Sequence, residues 1–183
     1  MSPRTTISFR LNGRDISVET APDARAVDLL RDLGALDVKE GCGTGECGAC
    51  SILAGGAHVL SCLMLAAQLD GREITTPSGL GTPGEPHPVQ QALAEGGAVQ
   101  CGFCTPGMSM AAAALLAQNP APTREEIRTA ISGNLCRCTG YVMIVDAVQA
   151  AARKMRGDSG PPQAAAQTSR KKPAAARKKG GKG

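Results

Sequence analysis

Thr5 to Leu11 alternates apolar and polar residues and is rich in β-forming types, and Ile16 to Thr20 repeats the alternation. Asn12-Gly13 between them is a strong two-residue turn signal, so the chain opens on a predicted β-hairpin. The period then changes. Ala26, Val27, Leu29, Leu30 and Leu33 follow helical spacing, and Gly34 is placed to stop that helix. Ser51 to Leu53 and His58 to Leu60 flank Gly55-Gly56 as a second predicted hairpin, and Glu73 to Thr76 reads as a last strand. Gly41 to Gly48 is too rich in glycine for regular structure.

Pro77 to Pro88 holds four prolines and three glycines and reads as a linker. Beyond it the pattern is helical. Val89 to Glu95 is one candidate, and the alanine-rich run from Met108 to Gln118 is a second, with Thr105 as N-cap and Pro106 at the first helical position. Thr123 and Glu126 have capping-box spacing for a third, and Thr139 is placed to cap a fourth, from Tyr141 to about Arg153. Met108, Met110, Leu115 and Leu116 read as core of this half, as does Tyr141. From Gly157 onward Pro, Gly, Ala, Gln and Lys predominate without apolar periodicity, which predicts a disordered tail. The expected division is therefore residues 1–76, a linker at 77–88, a helical unit at 89–156 and a tail at 157–183.

Composition sharpens this in two ways. Phe9, Phe103 and Tyr141 are the only aromatic residues, so two small aliphatic cores are expected, of a kind that often needs a covalent or metal staple. The formal charge of +4 is unevenly spread. Residues 1–152 hold ten Lys/Arg against fifteen Asp/Glu, a net −5, whereas residues 153–183 hold ten against Asp158 alone, a net +9. An acidic body with a basic tail argues against a nucleic-acid-binding fold and favours a solvated extension. No apolar run approaches the roughly 20 residues that span a bilayer, so membrane insertion is not expected, and a cytoplasmic location is. In a reducing compartment eight cysteines are metal ligands before they are disulfides.

The cysteines fall into two sets. Cys42-x4-Cys47-x2-Cys50, followed by Cys62, has the first spacings of a plant-type ferredoxin loop. Gly41, Gly43, Gly45 and Gly48 give that loop the freedom to turn around a [2Fe-2S] unit and bring amides to its sulfurs. A four-cysteine zinc site usually pairs two Cys-x2-Cys knuckles, which the x4 step fits poorly. The second set is Cys101-x2-Cys104 with Cys136-x-Cys138. Its spacing alone also suits zinc or thiol-redox sites, but Cys104 and Cys138 each precede a proposed helix start, where the positive helix end favours an anionic, thiolate-bound centre. His58 and His87 read as ordinary packed or exposed residues, and Arg137 as a cation with no assigned role.

Gly41-Cys42-Gly43-Thr44-Gly45-Glu46-Cys47-Gly48-Ala49-Cys50, Gln100-Cys101-Gly102-Phe103-Cys104-Thr105-Pro106-Gly107-Met108 and Gly133-Asn134-Leu135-Cys136-Arg137-Cys138-Thr139-Gly140-Tyr141 together resemble the small iron-sulfur subunit of the molybdenum hydroxylase, or xanthine oxidase, family. The resemblance covers roughly residues 4 to 153. It implies an α+β chain, with an N-terminal β-grasp, plant-ferredoxin-like domain followed by a C-terminal four-helix bundle-like domain and one [2Fe-2S] cluster in each. It further implies a large partner subunit holding molybdopterin, contacted by Gln100 and approached most closely by Cys138. The chain then serves as an electron-transfer subunit with no substrate chemistry of its own. Electrons would pass from molybdenum through the helical cluster to the ferredoxin-like one, and on to FAD on a medium subunit or to a cytochrome. A free-standing two-cluster carrier is the alternative, against which Gln100 and the helical half argue. Pro77 stands where family members more often carry a residue able to donate to the sheet, which implies an early end to the last strand.

Overall fold

The computed structural model describes residues 4–158. Most of the segment read as a basic tail, residues 159–183, lies outside them. The first half is a mixed five-stranded sheet in the order β2-β1-β5-β3-β4, formed by β1 (Thr5–Leu11), β2 (Arg14–Thr20), β3 (Ser51–Ala54), β4 (Ala57–Leu60) and β5 (Glu73–Thr75). β1 and β2 run antiparallel from Leu11↔Arg14, with Asn12 at φ 51° and Gly13 at φ 79°. Two successive left-handed residues make the tight turn whose twist matches the strands it joins, which is why Asn-Gly marks it in the sequence. β5 pairs in parallel with β1 and antiparallel with β3. It ends at Thr75, one residue earlier than the alternation predicts, and Pro77 instead begins a 3-10 turn over Pro77–Gly79.

Helix α1 (Ala26–Asp32) lies over this sheet, and Val27 and Leu30 join Ile7, Phe9, Leu11, Ile52, Leu69 and Ile74 in one buried cluster. Its end is a Schellman closure, with the Gly34 amide on the Arg31 carbonyl and the Ala35 amide on that of Leu30. Gly34 sits there at φ 91°.

The segment between the halves is pinned at its start. Asp37 accepts from the Thr76 hydroxyl (2.6 Å) and the Ser78 amide (2.7 Å), and the Gln90 side chain donates to the Pro77 carbonyl (2.8 Å). Helices α2 (Pro88–Glu95), α3 (Thr105–Gln118), α4 (Arg124–Ala130) and α5 (Val142–Arg156) follow and share a second core built on Val89, Leu93, Met108, Leu116, Ile127, Ile131, Ile144 and Val148. Helix α3 is buried nearly all round, as its uniformly apolar sequence requires, because it packs on α2 and α4 and also on β3 and β4. It therefore ties the helical half to the sheet. Among the described residues, no helix is long and apolar enough to cross a membrane.

Candidate metal centres

The first cysteine set lies on the loop between α1 and β3 and on the 3-10 turn Ser61–Leu63 that follows β4. Cys42 and Cys47 are partly exposed, whereas Cys50 and Cys62 are buried. Gly43, Gly45 and Gly48 all take left-handed φ values, and the loop curls so that the amides of Thr44, Glu46 and Cys47 converge on the Cys42 sulfur at 3.3–3.4 Å. Those amides, Thr44 foremost, bring the Cys42 thiol down to about 6. The Cys42 amide in turn reaches the Cys47 sulfur at 3.4 Å, so these two cysteines form a reciprocal pair. Cys62 stands against Cys50; burial and that neighbouring thiol push it up to about 11, partly offset by the Gly45 amide.

The second set is also paired. Cys101 and Cys138, both exposed, have their sulfurs 3.5 Å apart. Cys104 and Cys136 are half-buried against the helical core. Burial and the Cys136 thiol push Cys104 up to about 12. Burial also pushes on Cys136, but the Thr139 hydroxyl at 3.2 Å and nearby amides outweigh it and hold that thiol at about 7. Among the described residues no three Cys, His, Asp or Glu side chains converge as one metal ion would need. Two thiols for each of two irons is what a [2Fe-2S] rhomb takes, so the paired donor sets suit that group.

Two helix starts differ from the expected ones. Cys104, not Thr105, occupies the N-cap of α3, and no side chain caps it. Thr139 does not cap α5, which begins only at Val142, after Gly140 and Tyr141 have both turned left-handed. The reason is local bonding: the Tyr141 hydroxyl accepts the Cys136 amide at 2.8 Å, and the Thr139 hydroxyl accepts the Tyr141 amide while touching the Cys136 sulfur. The stretch from Cys136 to Tyr141 thus closes on a sulfur instead of starting a helix. The reading of Tyr141 as core holds in part, since it packs half-buried against the helical core, but that reading does not include its hydroxyl's role at Cys136.

The two sets meet through their loops. The Leu135 amide donates to the Cys47 carbonyl at 2.9 Å, so the residue before ligand candidate Cys136 is bonded to ligand candidate Cys47. Asn134, buried, donates through Nδ2 to the Gly48 carbonyl (2.9 Å) and the Ser51 hydroxyl (3.2 Å). A Cβ on Gly107 would stand 2.3 Å from the Gly48 carbonyl oxygen, which explains the glycine in α3. His58 Nε2 lies 2.9 Å from the Ser51 hydroxyl, while His87 caps α2 by accepting the Val89 amide through Nδ1. Gln100 is exposed beside Cys101, and Val99, Phe103, Leu135 and Val142 are large exposed apolar residues in the same segments.

The sheet with its glycine-rich cysteine loop, joined to a helical unit with a second cysteine set, defines a two-centre iron-sulfur protein. Family models agree: a 2Fe-2S iron-sulfur cluster binding domain matches residues 9–77 and a [2Fe-2S] binding domain residues 76–149. The chain is 52% identical to the nicotinate dehydrogenase small FeS subunit of Eubacterium barkeri over 152 residues, 82% of this chain and 97% of that one. It is 49% identical to the xanthine dehydrogenase iron-sulfur-binding subunit of Escherichia coli O157:H7, over 80% and 94% of the two chains. The crystal structure of quinoline 2-oxidoreductase from Pseudomonas putida 86 contains a chain that superposes with a TM-score of 0.80 at 43% identity, over 86% of this chain and 99% of that one. The protein belongs to the small iron-sulfur subunits of the molybdenum hydroxylase family.

Proposed function

We propose that Cys42, Cys47, Cys50 and Cys62 hold one [2Fe-2S] cluster and Cys101, Cys104, Cys136 and Cys138 another, in an electron-transfer subunit of a heteromeric molybdenum hydroxylase. When bound, the clusters supply one-electron carriage between the molybdopterin of a large subunit and an acceptor. This chain's residues hold, orient and shield them. The glycine-rich loop aims amides at the Cys42 sulfur, favouring its thiolate, and the Cys136–Tyr141 turn does the same at Cys136. The four short helices form a bundle-like frame behind the second set, supported by their common core. Residues 1–76 and 89–156 then act as two cluster-holding domains, joined by the pinned segment 77–88.

The observation that carries this reading is the surface around the second set. Two thiols stay exposed in segments that also expose Gln100, Val99, Phe103 and Leu135, Phe103 at 49% and Leu135 at 56%. Large exposed apolar side chains in the segments that carry an exposed sulfur pair mark a docking face before a free surface. Here Gln100 would contact the pterin of the large subunit, and Cys138 would be the cluster ligand nearest to it. On the ferredoxin-like half, Leu63 is 64% exposed and lies against Gly45, beside the first set, where a medium FAD subunit or a cytochrome would receive electrons. Eight cysteines read as metal ligands instead of disulfides fit a cytoplasmic location.

Co-expression with the large subunit tests the assignment. Phe103→Asp should retain both clusters in the isolated chain yet lose co-purification with the molybdenum-containing partner. Recovery of the unaltered chain as a stable monomer with no such partner would instead support a free-standing carrier.

A further inference from the structure

Asn134 hydrogen-bonds from the second cysteine loop into the first. It is 2% exposed, and its Nδ2 spans to the Gly48 carbonyl at 2.9 Å and the Ser51 hydroxyl at 3.2 Å, both beside ligand candidates of the other half. The orientation of the carboxamide is fixed, since a carbonyl only accepts and the Ser51 hydroxyl already donates to Gly48 at 2.7 Å. Its other atom, Oδ1, is buried with no partner among the described residues. An apolar residue of the same size would avoid that desolvation cost, so stability alone does not account for the carboxamide. What it supplies is register. Its neighbour Leu135 donates to the Cys47 carbonyl at 2.9 Å, and Gly48 and Gly107 lack the Cβ atoms that would hold the loops apart.

We propose that Asn134 is a positioning residue for electron transfer between the two clusters: it clamps the loops so that the Leu135 amide stays on the Cys47 carbonyl. One hydrogen bond then completes a route through the backbone from the Cys47 sulfur to that of Cys136. This rests on the two-cluster reading above and adds to it a residue that contacts neither cluster.

The test uses the full, cluster-loaded chain. A photogenerated reductant supplied at less than one electron per chain loads one electron, and rapid-freeze EPR follows its redistribution between the two [2Fe-2S] signals. Asn134→Ala should keep both signals at full intensity on complete reduction, slow the redistribution several-fold, and exchange the Leu135 amide faster with deuterium. Asn134→Asp keeps the volume but lacks the donor and should give the same slowing. Replacing Leu135 by its α-hydroxy acid puts an ester oxygen where the N–H was; this should slow the redistribution with Asn134 intact, and adding Asn134→Ala should then change nothing further. An unchanged redistribution rate in the loaded Asn134 variants overturns the proposal, as does failure of both variants to load, which would make Asn134 an assembly residue. Absence of two [2Fe-2S] signals from the unaltered chain would instead overturn the underlying reading.

Discussion

At the scale of single residues, the eight cysteines share one chemistry but not one environment. Cys42, with three amides on its sulfur and a thiol at about 6, is a thiolate at neutral pH, whereas Cys104, at about 12, remains a thiol. In the metal-free chain near neutral pH, iodoacetamide should therefore label Cys42 well ahead of Cys104, read by peptide mass spectrometry; equal rates would contradict the amide geometry. The ligand candidates and the loop glycines were legible because spacing and composition encode a turn around a cofactor. Gly107 was not, since its constraint is the Gly48 carbonyl in the other half, which no local pattern reveals. Gly107→Ala should cost about 1–3 kcal/mol through overpacking, measured as a fall in the urea midpoint.

At the scale of elements, local bonding sorts the expectations. The Thr123–Glu126 capping box forms as its spacing predicts, with the Thr123 hydroxyl accepting the Glu126 amide at 3.2 Å and Glu126 accepting the Thr123 amide at 2.7 Å. Thr139 carries the same residue type before a helical run, but sulfur competes for its hydroxyl, and the helix waits until Val142. The two threonines should separate on substitution. Thr123→Ala should lower stability by about 1 kcal/mol, while Thr139→Ala should raise the Cys136 thiol above about 7, seen as slower alkylation of the metal-free chain near neutral pH.

The connection between the halves has its own pH signature. Burial opposes ionisation of Asp37, but the Thr76 hydroxyl and Ser78 amide outweigh it and hold its carboxyl below the ordinary carboxylate value. A depressed folded value contributes stability that is present above the unfolded value of about 4 and lost as the pH falls through the folded one. Asp37→Asn should thus be less stable than the native chain near neutral pH by about 1 kcal/mol, with the gap closing on acidification; a gap independent of pH would remove the carboxylate from this clamp.

At the scale of the whole molecule, two cores of aliphatic residues are joined by helix α3 and by the Asn134 and Leu135 contacts. The division into strands and then helices was readable from the change of hydrophobic period at the proline-rich segment. The meeting of the two cysteine loops was not, because it depends on glycines and an asparagine whose partners lie far along the chain. The most direct measurement is metal and sulfide analysis of the purified full chain, combined with EPR of the dithionite-reduced protein. Two [2Fe-2S] domains require four irons and four labile sulfides per chain and two distinct reduced-cluster signals; stoichiometric zinc without labile sulfide, or a single cluster signal from fully loaded protein, would contradict the assignment.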